Sequence, residues 1–138
     1  MQQTIDWSEV EVGCELEPLV KPAITKVQLL KYAGASGDFN LIHTDVETAR
    51  QVGLPGTIAH GMLSMGFLGQ YASQLAGTQG FVSRLQVRFA GMVFPGDVLT
   101  CRAKVTKKES NQIDLELFVE REPGKALTSG EATLTLRP

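Results

Sequence analysis

Gly61-Met62-Leu63-Ser64-Met65-Gly66-Phe67-Leu68-Gly69-Gln70-Tyr71-Ala72-Ser73-Gln74-Leu75-Ala76 is the stretch whose reading decides the fold. Met62, Leu63, Met65, Phe67, Leu68, Tyr71, Ala72 and Leu75 recur at helical spacing and leave almost no polar face. A helix apolar nearly all round is buried on most of its sides. Gly61, Gly66 and Gly69 each weaken such a helix by about 1 kcal/mol relative to alanine, which points to close approach of other backbone or of a ligand. The run is too short to cross a membrane, as is every other apolar stretch, so no membrane partner is expected.

What buries this helix follows it in the chain. Phe81, Ser83, Leu85, Val87 and Phe89 alternate with Val82, Arg84, Gln86 and Arg88, the period of a half-buried strand. Pro95-Gly96-Asp97 turns the chain. Leu99, Cys101, Ala103 and Val105 then alternate with polar residues, as do Ile113, Leu115, Leu117 and Val119. Pro123-Gly124 turns it again, and Ala126 to Leu136 alternates as a last strand. Successive strands with short turns predict an antiparallel meander. The fold class is therefore α+β, an antiparallel β-sheet wrapped around a long central apolar helix.

Upstream, Thr25-Lys26-Val27-Gln28 has capping-box spacing and opens a short helix carrying Val27, Leu29, Leu30 and Tyr32, which is expected to stop near Gly34. Asp38 to Thr44 reads as an ordered loop. A second short helix follows, with Val46, Ala49 and Val52 inward, Arg50 in its last turn and Gly53 as its stop. With no linker or repeat in 138 residues, one domain spanning 1–138 is expected. A net charge of −2 gives no reason to expect nucleic acid as partner. The amino terminus lacks the apolar run of a signal peptide, and Cys14 and Cys101 sit in unrelated contexts, so a cytoplasmic protein with inert, reduced thiols is expected.

Chemistry concentrates in Asp38-Phe39-Asn40-Leu41-Ile42-His43 and in Ile58-Ala59-His60-Gly61. A carboxylate and an imidazole share one turn-rich segment, and the second segment offers glycine backbone at the start of the long helix. An acid/base pair beside exposed helix-start N–H groups is what proton transfer next to a thioester carbonyl requires. On spacing alone, Asp38 and His43 read equally well as a turn-capping aspartate and a surface histidine; the second block and the strand pattern move the reading to catalysis. Asn40 orients the loop or a water, or is an ordinary turn asparagine. His60 precedes the helix, where it is expected to bond free backbone groups as a structural residue. Asp38, His43, Asp45 and His60 match no specific ligand spacing, so no metal is expected. Arg84 and Arg88 read as a solvated strand face, with contact to a carrier phosphate as the alternative.

These residues resemble the MaoC-like dehydratases and (R)-specific enoyl hydratases, which have the hot-dog fold. The family signature is aspartate, any residue, asparagine, proline, any residue, histidine; here Leu41 stands at the proline position. The second family block, the histidine-glycine helix start, is Ala59-His60-Gly61-Met62-Leu63. Tyr32-Ala-Gly-Ala-Ser-Gly-Asp38 and Val52-Gly-Leu54 are especially similar to the catalytic subunit of (3R)-hydroxyacyl-ACP dehydratases of type II fatty acid elongation. Arg88-Phe89 and Pro95-Gly96-Asp97 also fit.

The resemblance implies a reversible (3R)-hydroxyacyl-thioester dehydratase or trans-2-enoyl hydratase acting on acyl-CoA or acyl-ACP. Asp38 and His43 would carry catalysis, the Gly61 N–H would stabilise the oxyanion, and Asn40 would orient the site. No cofactor is implied, because the thioester itself makes the C2 proton removable. A dimer is implied, either with itself or with a sister hot-dog subunit. The rivals are a thioesterase on the same fold, which would leave His43 without a task, and a non-catalytic acyl-binding partner subunit, against which the intact Asp38/His43 pair argues.

Overall fold

The computed structural model describes residues 4–138. Its elements are a short strand β1 (Leu19–Val20), helices α1 (Lys26–Ser36), α2 (Val46–Gln51) and α3 (Gly61–Ala76), and strands β2 (Gly80–Phe89), β3 (Thr100–Lys108), β4 (Gln112–Glu122) and β5 (Lys125–Leu136). All five strands pair antiparallel, in the order β1-β3-β4-β5-β2. The sheet curls around α3, which touches β2, β3, β4 and β5. This is the hot-dog fold.

The core lies between α3 and the concave face of the sheet. Leu63, Phe67, Leu68, Tyr71, Ala72, Leu75 and Ala76 of α3 meet the expected inward sets of β3 and β4: Cys101, Ala103 and Val105, then Ile113, Leu115, Leu117 and Val119. Each fully buried leucine or isoleucine contributes roughly 1.5–3 kcal/mol. The buried Tyr71 hydroxyl donates to Glu17 O at 2.8 Å, which satisfies its one polar atom. Burial pushes the Tyr71 phenol up, so it stays a donor, and pushes the Cys101 thiol up to about 12. Both cysteines are free, Cys14 exposed and Cys101 buried.

Several expectations are corrected. Only β3, β4 and β5 form a meander; β2 pairs with β5 and not with β3. The connection 90–99 therefore crosses from one side of the sheet to the other. It is held by Ala90 and Gly91 N–H to Leu127 O, both 3.0 Å, by Ala59 N–H to Val93 O at 2.7 Å, and by the Arg121–Asp97 pair at 2.7 Å. Within β2 the alternation changes phase. A bulge between Val82 and Arg84 puts Phe81, 40% exposed, out of phase with the half-buried Leu85 and Val87, while Phe89 at the strand end is in phase with them and still 48% exposed.

The helix α1 passes through Gly34 and stops at Gly37, whose left-handed φ of 76° lets its N–H close on Ala33 O. In the second helix Ala49 is buried, but Val52 is exposed, because it caps a helix of only six residues before Gly53 reverses the chain. The long helix is less enclosed than its composition suggests: Met62 is 55% exposed, and Gly66 has nothing within 4 Å of a Cβ position. No described backbone approaches Gly61, Gly66 or Gly69; a Cβ on Gly61 would meet the Phe89 ring and one on Gly69 the Leu85 side chain.

Gly130 is where glycine is required. It sits between Leu117 and Val87 in the sheet, and a Cβ there would lie 2.1 Å from Gln86 O and 2.9 Å from Val87 Cα. Gly130→Ala is expected to destabilise by about 1–3 kcal/mol through forced separation of β2 and β5. Gly66→Ala, in open space on a helix, is expected to stabilise by up to about 1 kcal/mol. Urea unfolding of the two variants checks the opposite signs.

Candidate active site

The segment after α1 is shaped by its own short polar side chains. The Ser36 hydroxyl accepts from Asp38 N, Asp38 Oδ1 accepts from Asn40 N, and Asn40 Oδ1 accepts from Ile42 N, each at 3.2 Å. The last of these caps a single 3₁₀ turn, Leu41–His43. Such side-chain bonds replace backbone pairing wherever Asp, Asn and Ser direct a turn. Leu41, at the proline position of the signature, opens this turn, where the first residue's N–H is not called on.

The turn delivers His43 into a buried position while leaving Asp38 half exposed; their side chains are 9% and 51% accessible. His43 Nδ1 lies 2.8 Å from Ile58 O. A carbonyl only accepts, so Nδ1 carries the hydrogen and Nε2 presents its lone pair. That nitrogen faces Asp38 Oδ2 at 3.7 Å, too far for a direct hydrogen bond. An acceptor nitrogen and a carboxyl group thus border the same gap, open on the Asp38 side. The His43 ring also forms part of the wall of a cavity of about 210 Å³, with Val27, Leu30, Val46 and Thr57. Val27 and Leu30, 59% and 63% exposed, are therefore not core residues of α1.

His60 does not cap α3 as expected, since no side-chain cap bond is made there. It is 2% exposed, its Nε2 lies 3.1 Å from Asp38 O, and its ring stacks on His43 at 3.8 Å between centroids with 23° between planes. Tyr32 lies against it at 4.7 Å, tilted by 55°. The next residue, Gly61, begins α3, so its N–H is one of the helix-start donors with no partner inside the helix. Nothing in the spacing of Asp38, His43 and His60 foretold the stack or the part played by the Ile58 carbonyl, because main-chain acceptors leave no mark on a sequence.

Asp45 is drawn away from this group. It caps α2, accepting from Thr48 N at 3.3 Å and from the Thr48 hydroxyl, which holds its carboxyl below the ordinary range. The donor atoms of Asp38, His43 and His60 lie within 4.8 Å of one another. Imidazole lone pairs lie in the ring plane, so two face-to-face rings do not converge on one ion, and the set suits a metal poorly. Arg84 is paired with Glu131 at 3.4 Å, and with Arg88 it lines a groove that shares no residue with the His43 cavity.

The MaoC like domain family matches residues 9–121. The chain is 35% identical over 109 residues to fatty acid synthase subunit beta of Aspergillus oryzae, covering 77% of this chain and 5% of that protein. It is 33% identical over 114 residues to the peroxisomal hydratase-dehydrogenase-epimerase of Neurospora crassa, covering 80% of this chain and 12% of that one. The chain thus spans a small part of the length of these relatives. Among solved structures, R-hydratase PhaJ1 from Pseudomonas aeruginosa superposes with a TM-score of 0.84 at 30% identity, over 98% of this chain and 87% of that one.

Asn40→Ala removes the oxygen that caps the turn carrying His43. Its expected cost is about 0.5–2 kcal/mol, the range for losing such a cap, and Asn40→Asp is expected to restore most of it. Thermal unfolding of the two variants side by side checks this.

Proposed function

The chain belongs to the MaoC-like dehydratase family, and from that premise we propose that it reversibly hydrates trans-2-enoyl thioesters to (3R)-hydroxyacyl thioesters. The observation that carries this reading is the gap between Asp38 and His43: an acceptor nitrogen locked in one tautomer faces a carboxyl group across 3.7 Å.

In the dehydration direction His43 Nε2 takes the C2 proton, and the negative charge passes to the thioester oxygen. The Gly61 N–H receives that charge at the start of α3, where the helix dipole is positive and a side chain would crowd the carbonyl. Asp38 donates a proton to the departing C3 hydroxyl, which leaves as water. Hydration runs the same steps backwards, with the Asp38 carboxylate taking a proton from the attacking water. Asn40 acts through the turn it caps. The apolar walls beside His43 receive the part of the thioester next to the reacting carbons. A thioester is acidic enough at C2 for these residues to suffice, and both CoA and acyl-carrier protein present it on the same arm.

The assembly we propose is a dimer, with itself or with a sister subunit. Two features support it: α3 carries an uncovered stripe that includes Met62, and β2 is an edge strand with Phe81 and Phe89 exposed. The two free thiols support a reducing, cytoplasmic setting. Among the described residues no helix is long and apolar enough to cross a membrane.

Incubation with crotonyl-CoA, read both as loss of the enoyl-thioester absorbance and as release of free CoA thiol, separates hydration from thioester cleavage and from mere binding; a negative result is repeated with acyl-ACP and candidate sister subunits. Hydration is expected, and stereospecific dehydrogenases are expected to accept the product as the (3R) alcohol. Asp38→Asn and His43→Ala are each expected to lower turnover by about 10²–10⁴-fold. The double variant is expected to be little worse than the poorer single, since the two act as one unit. Near-normal turnover in Asp38→Asn would sink the acid/base assignment.

Gly61→Pro removes the oxyanion donor, and Gly61→Ala, which keeps the N–H but adds a Cβ against the Phe89 ring, is its control for crowding. Proline is tolerated at the first helical position, and His60, with φ −62° and ψ 134°, already has the conformation that a following proline requires. Turnover is expected to fall by about 10²–10³-fold while the helix content seen by circular dichroism is unchanged.

A further inference from the structure

We infer that His60 is a positioning residue for the proposed proton transfer, fixing the plane of the His43 ring and the place of the Asp38 main chain at once. The inference rests on the acid/base reading of Asp38 and His43 given above.

Its hydrogen bond shows what the ring is for. Asp38 O can only accept, so His60 Nε2 carries the hydrogen and donates at 3.1 Å. That leaves Nδ1 as a bare acceptor, buried and without a partner among the described residues. Such an atom weakens the fold, because it gives up its bond to water and gains none in return. A phenylalanine would fill the same space without that cost but could not donate to Asp38. The imidazole therefore serves the loop that holds Asp38 at the expense of local stability.

Its face serves His43. The bond from His43 Nδ1 to Ile58 O, 2.8 Å long, fixes one point of that ring but lets it pivot about the bond. The His60 face, stacked at 3.8 Å and 23°, removes the pivot, and Tyr32 backs His60 in turn at 4.7 Å. One point and one plane together set the direction of the Nε2 lone pair. Displacing a reacting group by about 1 Å can cost on the order of 10²-fold in rate. His60 also directly precedes Gly61, so one buried ring ties together the acid, the base and the oxyanion donor.

Two substitutions divide these functions. His60→Gln keeps an N–H for Asp38 O and loses the ring face; His60→Phe keeps the face and loses the donor. Each is expected to lower kcat by about 10- to 100-fold with KM nearly unchanged. In a His43→Ala background, His60→Gln is expected to cost nothing further, because the ring it orients is gone. NMR relaxation of the His43 ring reads the geometry without turnover: the ring is expected to be rigid in the wild type and mobile in His60→Gln. Unchanged kcat in either folded variant overturns the inference, as does a His60→Gln loss that multiplies with His43→Ala. If the wild-type protein hydrates no thioester, the acid/base reading fails on its own, and the ring relaxation still decides: a mobile His43 ring in His60→Gln supports the positioning role, and one as rigid as the wild type overturns it.

Discussion

The need to cover α3 governs this molecule. A sixteen-residue helix with Leu68, Tyr71 and Ala72 wholly buried cannot rest on a flat sheet, because a flat sheet touches only one line of a cylinder. The strands must curl, and the curl is accommodated where β5 approaches β2 closely enough to exclude even a methyl group at Gly130. Bulges in β2, β3 and β4 add the local twist that bending requires. The position of the site follows. The helix begins at Gly61 against the Phe89 ring, at the end of β2, and the segment before it is held by Ala59 N–H to Val93 O and Ile58 N–H to Ile42 O.

The candidate site is organised by main-chain carbonyls. Ile58 O sets the tautomer of His43, and Asp38 O sets that of His60. Neither carbonyl belongs to a helix or strand, so each is free to accept from a side chain. Small changes in the loop backbone would therefore alter which ring nitrogens carry the protons, even with every side chain of the signature in place.

The sequence reveals most where one physical rule dominates. Alternation in β3 and β4 was legible because each strand keeps one face on α3 throughout, and Thr25 as a helix cap was legible because its hydroxyl has one use there. The rule failed where two influences compete. In β2 the bulge at Ser83 interrupts the period, and nothing in Val82-Ser83-Arg84 announces it. Gly34 reads as the stop of α1, yet the helix tolerates it and ends at Gly37, which takes the left-handed φ of 76°. Of the site, the sequence shows Asp38, Asn40 and His43 on one turn-rich segment, and the structure holds that segment as a short polar turn. The expected bond from His60 to the start of α3 is not made, because its ring turns to the Asp38 carbonyl in the preceding loop.

The placement of β2 at the far edge of β5 has a kinetic side. The hairpins β3–β4 and β4–β5 close over a few residues, but Gly80 must find Leu136 and Phe89 must find Thr128 across the whole of the intervening meander. Closing so long a loop costs entropy before its contacts return any. By contact order the three-stranded meander is expected to pair first, and β2, with α3 attached to its start, to dock later. On that expectation the helix that the finished fold is built around is among the last parts of the chain to reach its place.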